Sequence, residues 1–156
     1  MNQRSYDLEE RLVEYSCQVI EVVEALPGTK APNYLVGQLI RCGLAPALLY
    51  GEAQSSESGD DFIHKMKIGL KELKETRICF KIIMARKMVN GLEAVTKENE
   101  ELIAITSKSI ATANKNKSLH HEFRNFRPFG PDPEILKIED FIFVENLALI
   151  ALVWSK

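Results

Sequence analysis

Arg41, Glu72 and Glu75 are the sharpest charged constellation in the sequence. A planar guanidinium meets carboxylates through a fork of donors, so such a trio can hold an anion or partner, or lock two elements in register. The second reading is preferred, because an arginine and glutamates on neighbouring helices meet most simply as an interhelical ion pair. If the segments that carry them form a hairpin turning near residues 56–58, positions adding to about 114 face each other. Arg41 then lies opposite Leu73, within reach of Glu72 or Glu75.

The same register brings Tyr50 near His64 and Glu52 near Phe62, with Gln38 one turn ahead of Arg41. A tyrosine, a histidine and a glutamate together could transfer protons near neutral pH. No serine or cysteine nucleophile stands beside them, and the chain is expected not to be an enzyme. His120 and His121, followed by Glu122, are neighbours whose side chains diverge on any regular backbone, which makes a poor chelate. No phosphate loop, dinucleotide fingerprint or zinc-protease motif occurs, and no cofactor or metal is expected.

Lys67, Lys71, Lys74 and Lys81 share one helical face, with Arg77 nearby. Lys115, Lys117, Arg124 and Arg127, interleaved with Phe123 and Phe126, carry positive charge onward. Such a row is either a solvated face or a phosphate-binding surface of low sequence preference. Glu72 and Glu75 partly neutralise it, so the solvated face is preferred and nucleic acid is the alternative partner.

These residues need helices to position them. Leu8, Leu12, Tyr15, Val19, Val22 and Leu26 alternate steps of four and three, the seam of a first helix that Pro27 and Gly28 stop. Pro32 can open a second, with a seam of Leu35, Leu39, Cys42, Pro46, Leu49 and Ala53 and a parallel row of Val36, Ile40, Leu44 and Ala47. Pro46 should kink it. Ser58 and Asp61 make a near capping box for a third helix, whose buried row is Phe62, Met66, Gly69, Leu73, Thr76, Phe80 and Ile83. Ile78, Cys79, Ile82 and Met84 add apolar groups on its other faces, and Asn90-Gly91 supplies a stop. Thr96 can cap a fourth helix with Glu98, Glu100 and Glu101 in its first turn and Leu102, Ile103, Thr106, Ile110 and Ala113 inside.

The expectation is an all-α protein: an antiparallel up-down-up-down four-helix bundle over residues 1–117 with a C-terminal extension. In that extension, proline-rich residues 118–134 read as a linker, and residues 135–156 as an apolar segment, helix or strand. The second and third helices carry more apolar rows than one core absorbs, which points to a homo-oligomer.

Gln38-Leu39-Ile40-Arg41, Tyr50-Gly51-Glu52-Ala53-Gln54-Ser55, Asp61 through Ile68 and Leu73-Lys74-Glu75-Thr76 resemble a bacterial family of four-helix bundle proteins. Its first members are products of intervening sequences in large-subunit ribosomal RNA genes, and the accessory protein of diversity-generating retroelements is similar. The resemblance covers roughly residues 5–117. It implies a small homo-oligomer, a pentamer, without established catalytic activity; in the retroelement relatives it implies binding to a reverse transcriptase and nucleic acid. Leu49 stands where the pattern has Asn, and Ala53 where Gly is frequent.

At 156 residues with 46% hydrophobic content, one domain can fill its core without disulfides or metals. The net charge of −2 conceals acidic ends of −4 (residues 1–27) and −3 (residues 128–156) around a middle of +5. Cys17, Cys42 and Cys79 form no CxxC pair and read as core thiols of a reducing compartment. The N-terminal residues do not resemble a signal peptide, and Glu145 and Asn146 interrupt the apolar run from Phe141 to Trp154. A cytoplasmic location without a membrane span is expected.

Overall fold

The structure, a computed structural model, describes residues 8–28 and 30–125. Four helices follow one another: α1 (Leu8–Glu24), α2 (Lys30–Gln54), α3 (Gly59–Ala85) and α4 (Glu93–Asn125). Each packs antiparallel on the next, most extensively α2 on α3, and α1 on α4 closes the ring. The expected all-α bundle is the observed one. No helix among the described residues is long and apolar enough to cross a membrane.

The seams point inward as their periodicity requires. Leu12, Tyr15, Val19 and Val22 of α1 meet Leu35, Leu39 and Cys42 of α2, Leu73, Phe80 and Ile83 of α3, and Leu102 and Ile103 of α4 in one buried cluster. A second cluster joins Ala53, Phe62, Ile63, Met66, Ile110 and Ala113, to which the described residues of α1 contribute nothing. Helix α2 runs unbroken through Pro46. Two glycines face a neighbouring helix at close quarters. A Cβ on Gly43 would lie 2.5 Å from Val19 Cγ1, and one on Gly69 would lie 4.0 Å from Pro46 Cα.

Of three helix ends, one follows the sequence reading and two differ from it. Ser58 caps α3 with extended backbone, its hydroxyl accepting the Asp61 N–H at 3.2 Å, as the near capping box suggests. The stop of α3 lies not at Asn90-Gly91 but earlier. Lys87 adopts φ 50°, and the N–H groups of Lys87 and Met88 donate to the carbonyls of Met84 and Ile83 at 3.0 and 3.1 Å, a Schellman closure on a non-glycine residue. Half-buried Met88 packs on the core from the turn, which accounts for the early reversal. Helix α4 likewise begins a turn before Thr96, because Leu92 and Val95 are buried and draw the chain inward. Thr96 donates its backbone N–H to the Leu92 carbonyl at 2.9 Å and is not the cap.

Helix α4 also continues to Asn125, so residues 118–125 of the expected linker are helical; the first proline after them is Pro128. Residues 126–134 and the apolar segment 135–156 lie outside the described residues, as do the side chains of His120, His121 and Glu122.

Candidate functional site

Arg41 projects from α2 onto α3 and holds both glutamates. Its Nη1 donates to Glu72 Oε2 at 2.9 Å and its Nη2 to Glu75 Oε2 at 2.7 Å; Gln38 Nε2 donates to the same Glu75 oxygen at 3.0 Å. Helical spacing explains the set. Gln38 and Arg41 stand one turn apart on α2, Glu72 and Glu75 one turn apart on α3, and the antiparallel pairing lays the two turns side by side.

Burial across this site is uneven. The Arg41 side chain is 53% exposed, whereas that of Glu72 is 7% exposed. The arginine therefore acts as a lid on a buried carboxylate, with its head in water. Hydrogen bonding to Arg41, aided by Lys71, holds the Glu75 carboxyl below the usual glutamate range, and the two glutamates push the Arg41 guanidinium up. A guanidinium shared by two carboxylates already has its charge matched, so the site is built to join helices and is a poor receptor for a third anion.

The Tyr50, Glu52, Phe62 and His64 group is divided among other partners. Glu52 pairs with Lys65 at 2.5 Å, which raises the lysine's affinity for its proton. The Tyr50 hydroxyl accepts from Gln54, Phe62 is buried in the second cluster, and His64 is exposed. These side chains do not assemble into an acid-base relay. Among the described residues no group of three or more His, Cys, Asp or Glu side chains is placed to hold a metal ion.

Lys67, Lys71, Lys74 and Lys81 are all exposed on the outer side of α3. A shallow hollow lies along this row, lined by Lys67, Leu70, Lys71, Lys74, Glu75 and Ile78. Lys71 reaches Glu75 at 3.4 Å, while Lys67, Lys74 and Lys81 make no ion pair among the described residues.

Two interhelical clusters escape a reading of single-helix periodicity. Arg11, 14% exposed, clamps α1 to α4: its Nε and Nη2 donate to Glu98, the latter at 2.9 Å, and Nη2 reaches Glu101 at 2.5 Å. Glu98 and Glu101, expected to stabilise a helix start, are spent on this clamp. In the core, Asn99 Nδ2 donates to the Tyr15 hydroxyl at 2.6 Å and to the Leu73 carbonyl at 3.2 Å, and the buried Thr76 hydroxyl donates to the Glu72 carbonyl at 2.9 Å. Burial raises the Tyr15 hydroxyl's pKa above the ordinary tyrosine value, against the opposing effect of the bond from Asn99. An asparagine amid Leu and Ile is the one signal that could have exposed this cluster in the sequence. Of the three thiols, Cys42 and Cys79 are buried as expected, the Cys42 thiol donating to the Leu39 carbonyl at 3.8 Å; Cys17 is exposed, because position 17 faces away from the α1 seam.

No protein-family model matches the chain, and no curated protein matches it. A solved structure does: a protein of unknown function from the S23 ribosomal protein family of Bacteroides thetaiotaomicron, with a TM-score of 0.63 at 20% identity. The match covers 67% of this chain and 98% of that one. At that identity the match shows a shared four-helix fold.

Proposed function

We propose that this chain is a non-enzymatic, self-associating helical-bundle interaction protein. The outer face of α2 carries this reading. Tyr34 is 81% exposed, Leu48 is 69% exposed, Ile40 is exposed, and Leu44 is half-buried beside them. Gly37 and Gly51 lie on the same side, and a Cβ at either would meet nothing within 4 Å, so the helix presents a flat, apolar and unfilled surface. A contiguous apolar stripe on one helix, repeated in identical copies, is what a closed ring of subunits buries. The sequence resemblance implies a ring of five.

Light scattering at micromolar concentration tests the proposal. A mass that is a multiple of 17.7 kDa is expected, and Leu48→Glu with Tyr34→Ser should return it to one chain while the helical circular dichroism persists. A wild-type mass near 17.7 kDa would overturn the reading.

A further inference from the structure

The lysine row on α3 is a different surface from the α2 face, separated from it by the ridge of Arg41, Gln38 and Glu75. We propose that this row is the docking surface for the chain's own C-terminal segment, residues 135–154. Three observations meet there.

The first is unmatched charge. Lys67, Lys74 and Lys81 are exposed without a carboxylate partner among the described residues, and the hollow along Lys67, Lys71 and Lys74 is also lined by Leu70, Glu75 and Ile78, the last 51% exposed, with exposed Ile82 one turn on. A surface that intersperses lysines with exposed apolar side chains fits an apolar chain edged with carboxylates. It fits a nucleic acid less well, because the face offers no aromatic platform for bases.

The second is complementarity within the sequence. Residues 128–156 carry five carboxylates against two lysines, and the carboxylates Glu139, Asp140 and Glu145 are set among Ile138, Phe141, Ile142, Phe143, Val144 and Leu147. An apolar stretch of this length is costly to leave in water, at about 25 cal/mol per Å² of exposed apolar surface.

The third is reach. Helix α4 runs antiparallel to α3, and Lys117 pairs with Asp60 at the start of α3, so the chain leaves α4 at the end where the lysine row begins. From Lys117 to Asn125 the helix travels about 12 Å beyond that point, and Lys67 lies about 10 Å up α3 from Asp60. Residues 126–134 can span roughly 30 Å when extended, enough to return to Lys67.

The only tryptophan in the chain is Trp154, which makes the segment observable in the full-length protein. Docking predicts a blue-shifted emission shielded from acrylamide. Changing Lys67, Lys71 and Lys74 to Glu should red-shift it and raise the quenching constant by at least about twofold, and to Gln by less, with a wild-type circular dichroism spectrum as the folding control. Changing Glu139, Asp140 and Glu145 to Lys should do the same, and combining both reversals should restore the shielded state. Zero-length crosslinking should join these lysines and carboxylates within one chain, leaving a 17.7 kDa band under denaturing conditions. Emission indifferent to both reversals overturns the proposal. So does a crosslinked dimer band, which would assign the surface to a second copy, or lysine-dependent binding of homopolymeric RNA with Trp154 unaffected. A Trp154 shift that appears only on adding anionic lipid vesicles overturns it in favour of a membrane surface.

Discussion

The Asn99 amide donates to the Tyr15 hydroxyl at 2.6 Å across the centre of the bundle, and both side chains are fully buried. The pair ties α4 to α1 inside the core, so each group relies on the other for part of what offsets its lost water. Tyr15→Phe leaves an amide hydrogen of Asn99 without its partner and should cost about 1–3 kcal/mol in urea denaturation. Asn99→Ala should cost at least as much, and the double variant less than the two together.

The same hydroxyl predicts an alkaline limit. Its pKa in the folded state lies above the ordinary value of 10.0, chiefly through burial. The folded state thus holds the proton more tightly than the unfolded chain. The contribution is fully present below pH 10 and is lost as pH rises past it, because the unfolded chain ionises first. Wild type should lose stability above that pH more steeply than Tyr15→Phe, measured by denaturant titration.

Removing Arg41 uncovers Glu72 and frees Glu75. Arg41→Ala should lower the melting temperature at neutral pH, Arg41→Lys should recover part of it for lack of the fork, and Glu72→Gln should recover part of the loss in the Ala background. Glu75 is held below its ordinary value of 4.5, so its contribution is present above that pH and fades as pH falls through the lower folded value. The gap between wild type and Arg41→Ala should therefore narrow in acid.

Lys87 sits at φ 50°, where a side chain is strained and glycine is not. Lys87→Gly should raise stability by about 0.5–1 kcal/mol in chemical denaturation, since relief of the left-handed conformation outweighs the added freedom of the unfolded chain. A loss of stability would mean that the lysine side chain contributes through a contact.

Gly43 is the close approach of α2 to α1. An alanine Cβ there would lie 2.5 Å from Val19 Cγ1, so Gly43→Ala should destabilise by about 1–3 kcal/mol, with Val19→Ala in the same chain restoring room. Comparing the melting curves of both single variants and the double checks this.

Periodicity made the seams legible. Tyr15, Val19, Leu39, Leu73 and Phe80 are buried because their spacing leaves them no other face. The hairpin register, a property of two adjacent helices and a short turn, brought Arg41 to Glu72 and Glu75 before any coordinates. Relations between non-adjacent segments were not legible: Arg11 with Glu98 and Asn99 with Tyr15 join the first helix to the last, and no local spacing encodes that distance in sequence. The ends of α3 and α4 were misplaced for a related reason. Turn residues such as Asn90-Gly91 mark where a chain can turn, while the burial of Leu92 and Val95 decides where it does.

Among the described residues the second buried cluster draws on α2, α3 and α4 alone, and it is the smaller of the two. Fewer apolar side chains there resist transient opening. Amide protons of α4 near Ile110 and Ala113 should exchange with solvent deuterium ahead of those near Leu102 and Ile103, and the bundle should unzip from this cluster before it melts as a whole.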